Sequence, residues 1–197
     1  MRRFILTGTP GSGKTALLRR LELDGYAVVE EAATDVIALG QALGDPEPWR
    51  SPAFIDDIVN LQRRRRRSAT AAVTFFDRSP VCTLALSRYA GFMPSAALLA
   101  ELDRIRFYDP AVFFVRNQGF VEATAARRIS FEDSLRFERI HEETYGELGF
   151  RLIEVPAAPL NVRAGLVTDA VRAILKACSI RIHGTRGCSC PAPPVSG

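Results

Sequence analysis

Short apolar runs alternate with longer stretches of helical spacing along most of the chain. Five runs have the length and composition of buried strands, namely RFIL, YAVV, VTFFD, AVFFV and RLIEV. Glycines follow two of the helical stretches, at Gly25 and Gly149, where a helix is expected to end before the next strand. The alternation predicts an α/β fold of three layers, with a mostly parallel five-stranded sheet between two layers of helices.

One helix start and one connection can be placed more closely. Ser130 and Asp133 form an S-x-x-D capping pattern that opens a helix running toward Leu148. The segment GDPEPWRSP, residues 44–52, is rich in turn-forming residues and predicts a link between two helices. These two helices are expected between the second and third strands.

A length of 197 residues and a hydrophobic content of 47% are sufficient for one well-buried core. We predict one domain over residues 1–177 and a flexible tail over residues 178–197, because the stretch HGTRGCSCPAPPVSG is small, polar and proline-rich. Three cysteines lie in this tail with His183, but one histidine and a C-x-C pair fall short of a zinc pattern. Without a signal-peptide core or a membrane-spanning run, the default expectation is a cytoplasmic protein.

The glycine-rich turn GTPGSGKT lies between the first strand and the first helix and matches G-x-x-x-x-G-K-[ST] in full. Its glycines let successive backbone N–H groups point at phosphate oxygens, and the following helix adds its positive end. We predict that this phosphate-binding loop (P-loop) holds ATP, with GTP as the open alternative. The predicted contacts are Gly8, Pro10, Gly11, Ser12, Gly13, Lys14, Thr15 and Ala16.

Lys14 and Thr15 have distinct predicted roles in this loop. Of 26 basic residues only Lys14 and Lys176 are lysines, so the chain keeps a slim ammonium where a planar guanidinium is not equivalent. Lys14 is expected to reach the β and γ phosphates, and the Thr15 hydroxyl to bind Mg²⁺. An ordinary strand-to-helix turn is the weaker alternative.

Asp77 and Arg78 end the third predicted strand, in VTFFDRS. Asp77 is placed to bind Mg²⁺ directly or through water, as a Walker-B carboxylate does, or it simply caps the next turn. Many hydrolytic motors carry a glutamate after this aspartate, whereas Arg78 is a cation suited to a phosphate or a substrate anion. A plain hydrolase is therefore a weaker hypothesis than a transferase.

Glu30 and Glu31 end the second predicted strand, at the edge where open α/β sheets bind ligands. One of them is a candidate to take the proton from an attacking hydroxyl or to bind the acceptor. Two solvated carboxylates at the start of a helix are the alternative.

Arginines outside the loop suggest two further features. Arg127 and Arg128, with Arg116 beyond the fourth strand, are candidates for a lid that neutralises charge during transfer. The run at residues 63–67 continues a helix, so its side chains spread around every face and a solvated helix is the favoured interpretation. Contact with an anionic membrane stays open, and nucleic acid is a minor hypothesis because the net charge is only +4 and interleaved aromatics are absent.

Several stretches together resemble a family of small P-loop proteins with an AAA-type ATPase domain. They are GTPGSGKT, VVEEAATDVI, EPWRSPAFIDDIVNLQ, FFDRS and ARRISFED with YGELGFRLIEVP. The family is related to the ribosylnicotinamide kinase domain of the bacterial NAD regulator and to a eukaryotic GTP- and lipid-binding trafficking protein. The resemblance covers residues 3 to about 175.

This resemblance implies a nucleotide-kinase fold, a nucleotide on residues 11–15, Mg²⁺ near Thr15 and Asp77, and lid arginines at 127 and 128. It also aligns Glu31 with the family's glutamate after the second strand, and the more distantly similar deoxynucleoside kinases use an equivalent glutamate as base. Many family members have arginine where this chain has Thr34, so its acceptor pocket is expected to differ.

Two functions follow as hypotheses. The first is an ATP- and Mg²⁺-dependent phosphotransferase acting on a small hydroxylated metabolite or nucleoside, with Lys14, Glu31, Asp77, Arg78, Arg127 and Arg128 as its catalytic residues. The alternative is a nucleotide-dependent switch that docks to a protein or to an anionic membrane surface. The absence of an N-K-x-D signature argues against an ordinary G-protein switch. The acceptor and the oligomeric state are not predicted.

Overall fold

The five apolar runs form five strands, as the sequence predicts. The computed structural model describes residues 1–119 and 130–184, with side chains through residue 177. The strands are β1 Arg2–Thr7, β2 Ala27–Val29, β3 Val73–Asp77, β4 Ala111–Val115 and β5 Arg151–Val155. They pair in parallel in the order β2-β3-β1-β4-β5, so the first strand lies at the centre.

Helices connect each strand to the next in the described part of the chain. They are α1 Lys14–Leu23, α2 Ala32–Ala42, α3 Ala53–Arg67, α4 Pro80–Ala90, α5 Ala96–Leu102, α6 Phe131–Glu147 and α7 Leu160–Gly184. Short 3₁₀ turns at Pro48–Arg50 and Ile105–Phe107 interrupt two connections. Among the described residues, none of the helices has the length and apolarity needed to cross a bilayer.

Successive strand residues pack on opposite faces of the sheet, which produces the three predicted layers. Phe4 and Leu6 of β1 join a core formed with α1 and α7. Ile5, between them, joins a second core formed with α4 and α6. Both faces of the central strands are thus buried, which explains why these strands read as continuous apolar runs rather than as alternating patterns.

The predicted element boundaries are confirmed. Gly25 and Gly149 follow α1 and α6 with positive φ angles of 94° and 76°. The Ser130 hydroxyl accepts a hydrogen bond from the Asp133 backbone N–H at 3.0 Å and caps α6. The segment at 44–52 joins α2 to α3.

The C-terminal helix is longer than the sequence pattern indicates. Helix α7 continues to Gly184, beyond the predicted domain limit at residue 177. The division into a domain and a flexible tail stays a prediction, since residues 185–197 lie outside the described residues.

Candidate functional site

The P-loop follows β1 at the carboxyl edge of the sheet, and its glycines occupy positions that a side chain would not fit. Gly8 has a φ of 149°, and a Cβ added there would lie 2.4 Å from the Val115 carbonyl oxygen. Gly11 and Gly13 have φ angles of 85° and 69°, and Gly13 occupies the N-cap of α1. The left-handed region accepts glycine at little cost, which explains the glycine spacing of the motif.

Two other segments of the chain donate hydrogen bonds to the backbone of the loop. The Asn117 side chain donates to the Pro10 carbonyl at 3.3 Å, and the Gln118 backbone N–H donates to the Gly11 carbonyl at 3.3 Å. Arg163 of α7 donates through Nη1 to the Ser12 carbonyl at 2.8 Å. These bonds fix the carbonyl groups of residues 10–12.

Polar atoms of the loop support its assignment as a phosphate site. The hydroxyl oxygens of Thr9 and Ser12 are buried and have no hydrogen-bond partner within the described residues. A buried polar atom without a partner is costly, and of these two residues Thr9 lines the cavity described below, where an anion with several acceptor oxygens would suit it. Burial lowers the pKa of Arg163, whose side chain lies directly behind the loop.

Lys14 and Asp77 form a buried ion pair beside the loop. Lys14 Nζ lies 2.6 Å from Asp77 Oδ1, and the two side chains are 5% and 4% exposed. Thr15 and Ala16 are exposed in the first turn of α1. The Thr15 hydroxyl and the Asp77 carboxylate supply hard oxygen donors of the kind that Mg²⁺ prefers, so the residues present fit this metal.

Glu31 and Arg78 form a second ion pair, between Glu31 Oε1 and Arg78 Nε. Both are largely buried, with side chains 15% and 13% exposed. Thr34, where the family resemblance implies arginine in many members, donates its hydroxyl to Glu31 Oε2 at 3.1 Å. Glu30 instead pairs with Arg19 in exposed positions, so Glu31 is the glutamate that enters the site.

Arg78 adopts a backbone conformation that is unusual for a residue with a side chain. Its φ is 72°, and it is the only non-glycine residue with a positive φ in the described part of the chain. Such strain costs about 1–3 kcal/mol and is concentrated at functional sites. Burial is the largest single effect and disfavours the Arg78 charge, but attraction to Glu31 together with weaker attractions to further neighbours, Asp77 among them, raises the pKa of Arg78 overall.

A buried histidine on α6 holds the other end of Arg78. His141 Nδ1 lies 3.0 Å from the Phe137 carbonyl, which can only accept, so Nδ1 carries the proton. Nε2 is then the acceptor for Arg78 Nη1 at 3.4 Å. Burial and the nearby Arg78 charge lower the pKa of His141 to about 3, so the ring is neutral at pH 7.

A cavity of about 750 Å³ joins these groups. Pro10, Gly11, Gly13, Lys14 and Thr15 line it on the P-loop side, and Glu31, Thr34 and Arg78 line it beyond the loop. Its remaining wall carries five aromatic side chains, Trp49, Phe54, Tyr89, Phe92 and Phe137. Of the predicted contacts, Gly8, Ser12 and Ala16 do not line the cavity, although Gly8 and Ser12 shape the loop.

Arg116, predicted beside Arg127 and Arg128 as a lid cation, is engaged in ion pairs in this structure, and its lid role stays a prediction. Arg116 is bound by three carboxylates, those of Glu138 at 3.2 Å, Glu142 at 2.9 Å and Glu154 at 2.5 Å. Hydrogen bonding to Glu142 is the main cause that raises the pKa of Arg116. The predicted lid arginines Arg127 and Arg128 lie outside the described residues and stay predictions.

The arginine run at 63–67 is only partly solvated. Arg64 and Arg67 are exposed, as expected for a solvated helix. Arg66 instead forms a buried ion pair with Glu101 at 2.8 Å, and Arg65 reaches the turn at residues 30–31. Two of the five cations are therefore engaged inside the fold.

Sequence patterns do not mark several residues of this site. Asn117 and Gln118 follow β4 at the same sheet edge as the P-loop, and that position was an available signal. His141 and Arg163 lie within ordinary amphipathic helices, and no sequence motif marks them. The aromatic residues belong to helices whose apolar positions are equally typical of a core.

Comparisons with known proteins agree with this architecture. A family model described as "AAA domain" matches residues 3–163. A deoxyadenosine kinase from M. mycoides, solved with the products dCMP and a flexible dCDP, has a TM-score of 0.58 at 14% identity; the match covers 87% of this chain and 99% of the kinase. The same enzyme with bound dCTP gives a TM-score of 0.59 at 14% identity, over 88% and 100%.

Curated protein sequences give no match to this chain. The specific relation to the ribosylnicotinamide kinase domain stays a prediction. The family model covers most of the chain, and the similar structures share its sheet and helices across nearly their whole length. The chain therefore belongs to the AAA domain family and has the parallel five-stranded P-loop fold of a nucleoside kinase.

Proposed function

We propose that the protein transfers the γ-phosphoryl group of ATP to a hydroxyl group of a small ring-bearing acceptor, of which a nucleoside is the leading example. The observation that carries this proposal is one cavity lined by two chemically different groups of residues. Lys14 and the P-loop form the first group, and the Glu31–Arg78 pair with the aromatic side chains forms the second. A simple ATPase needs no acceptor pocket of this kind.

In the proposed reaction, the acceptor hydroxyl gives its proton to the Glu31 carboxylate while its oxygen attacks the γ-phosphorus. The bond from that phosphorus to the β,γ-bridging oxygen breaks, and ADP leaves with the electron pair. Lys14 leaves its ion pair with Asp77, binds the phosphates of ATP and stabilises their negative charge. Thr15 and Asp77 would hold Mg²⁺, which would neutralise negative charge on the triphosphate when bound.

Arg78 orients the proposed base. The Nε of Arg78 pairs with Glu31 Oε1, and the Nη1 of the same guanidinium donates to His141. A general base contributes about 10²–10⁴-fold to a rate only when it lies within hydrogen-bond reach of the proton, so this orientation matters for transfer. Arg127 and Arg128 remain the proposed lid cations.

The aromatic wall supports a flat acceptor. Phe, Tyr and Trp rings stack well on planar heterocycles, whereas a polyol would leave them poorly matched. Gln62 and Thr83 add polar groups to this wall, joined by a hydrogen bond of 3.2 Å. A nucleoside acceptor also agrees with the deoxyadenosine kinase that shares the fold, although that likeness by itself establishes only the fold.

The described residues give less support to the alternative, a switch that docks to a protein or to an anionic membrane surface. Such docking depends on free cations at residues 63–67, and Arg65 and Arg66 are bound within the fold. Membrane docking is therefore the weaker proposal.

The first test measures acceptor binding. Trp49 is the single tryptophan of the chain and lines the cavity, so its fluorescence reports directly on occupancy. We expect nucleosides to change this fluorescence saturably and free ribose to leave it unchanged. Equal responses to ribose and nucleosides would contradict an aromatic-selective pocket.

The second test measures transfer. The protein is incubated with γ-labelled ATP, Mg²⁺ and a panel of nucleosides, beside Lys14→Ala as the matched control. We expect label on at least one nucleoside with the wild type and none with the control. Label that stays on ATP, or appears only as inorganic phosphate, would contradict the proposal.

A further inference from the structure

The arginine run of α3 includes one side chain that reaches the turn carrying Glu31. Arg65 Nη1 donates to the Glu30 carbonyl at 3.0 Å and to the Glu31 carbonyl at 2.5 Å. Its Nη2 donates to the Asp35 carboxylate, in the first turn of α2. One guanidinium thus holds three acceptors on both sides of the β2–α2 junction.

The side chains at this junction bond to one another rather than to the helix backbone, since the Thr34 hydroxyl donates to Glu31 Oε2 at 3.1 Å. Glu31 occupies the N-cap of α2 with extended backbone angles, φ −61° and ψ 135°, and no side chain caps the helix. An uncapped helix start has unsatisfied N–H groups and frays readily. The side chain of Glu31 is meanwhile committed to Arg78 in the cavity.

We propose that Arg65 is a positioning residue that fixes the backbone of Glu31 so that its carboxylate meets the acceptor hydroxyl. Arg65 holds the turn from outside and Arg78 holds the carboxylate from inside. The guanidinium carries its donors on separate nitrogens, so Nη1 bonds both carbonyls while Nη2 bonds the carboxylate, whereas the three donors of a lysine ammonium all lie on one atom. The effect on turnover rests on the proposed function, whereas the effect on the turn does not.

The kinetic test is a double-mutant cycle with Arg65→Gln and Glu31→Gln. A displacement of about 1 Å in a reacting group costs up to about 10²-fold, so Arg65→Gln is expected to lower kcat by about 10–100-fold with the KM for ATP unchanged. In the Glu31→Gln background, the same substitution should have no further effect. An equal loss in both backgrounds, or none in either, would overturn a role through Glu31.

Arg64→Gln is the matched control, because it removes the same charge from the preceding, exposed position of the run. It should leave kcat and the KM for ATP unchanged. Arg65→Lys keeps the charge but has all its donors on one atom, and should fall between the wild type and Arg65→Gln. A loss of activity in Arg64→Gln equal to that in Arg65→Gln would indicate a general charge effect and overturn the proposal.

Amide hydrogen exchange gives a readout that needs no turnover. Arg65→Gln should speed exchange in peptides covering residues 30–42, and leave those covering the P-loop and β1 unchanged. If no phosphoryl transfer is found, or Glu31→Gln is fully active, faster exchange at 30–42 still establishes that Arg65 holds the turn, while the proposed base role and the effect of Arg65 on turnover both fail. Unchanged exchange there in Arg65→Gln and Arg65→Lys would overturn the positioning role itself.

Discussion

The P-loop geometry predicts a specific cost for adding one methyl group at Gly13. Gly13 has a φ of 69°, and a Cβ there would lie 3.0 Å from Arg163 Nη2 and 3.1 Å from Nη1. Gly13→Ala should therefore destabilise the fold by about 1–2 kcal/mol, because an alanine is strained in the left-handed backbone conformation. It also displaces a buried guanidinium from the Ser12 carbonyl, worth about 1 kcal/mol more.

Gly149→Ala separates these two contributions. Gly149 has a nearly equal φ of 76°, but an added Cβ there meets nothing within 4 Å. This control therefore carries only the backbone cost of about 1–2 kcal/mol, against about 2–3 kcal/mol for Gly13→Ala. Gly149 lies between α6 and β5, so its substitution should leave nucleotide affinity unchanged.

Urea denaturation measures the two stabilities, and titration with a fluorescent ATP analogue measures affinity. We expect Gly13→Ala to bind the analogue at least about tenfold more weakly, which corresponds to about 1.4 kcal/mol. In an Arg163→Met background, the extra stability loss at Gly13 should disappear. Equal stability losses at the two glycines, together with unchanged affinity, would refute the argument that Arg163 supports the loop.

Three further predictions concern the buried polar groups. Lowering the pH from 7 to 5 should reduce the free energy of unfolding of the wild type by about 2 kcal/mol more than that of His141→Gln. In the unfolded chain the histidine gains a proton near pH 6.5, whereas folded His141 has a pKa of about 3 and stays neutral. Equal pH dependence in urea denaturation would contradict this. Tyr145→Phe should cost about 1–2 kcal/mol, since its hydroxyl bonds Ser79 at 2.8 Å. Glu101→Gln should lower the free energy of unfolding by about 3 kcal/mol, because it removes the buried carboxylate partner of Arg66. Unchanged unfolding midpoints in Tyr145→Phe and Glu101→Gln would contradict these two predictions.

The strands and helix ends can be predicted from the sequence because the residues that determine them are close together along the chain. The strands RFIL, VTFFD and AVFFV are buried on both faces, so each is an unbroken apolar run. Gly25 and Gly149 end helices through their own backbone freedom, and Ser130 caps α6 through a residue three positions away. Each of these features depends on neighbours along the chain.

The site was predicted only where a motif or a strand end marks it. The P-loop, Asp77, Arg78 and Glu31 all sit at the carboxyl edge of the sheet, which the strand pattern locates. Arg163 bonds a carbonyl 151 positions away, and no local signal encodes that contact. With so many arginines in the chain, sequence alone could not show that Arg116 is ion-paired with carboxylates.

The central claim is that Glu31 is the base, and the most direct test measures phosphoryl transfer to an identified acceptor together with nucleotide affinity. Glu31→Gln keeps the size of the side chain and leaves Lys14 and the loop intact, so nucleotide affinity should stay at the wild-type value. We predict that its transfer rate falls by at least about 10²-fold, the contribution expected of a general base. A transfer rate equal to that of the wild type, at equal nucleotide affinity, would contradict the account.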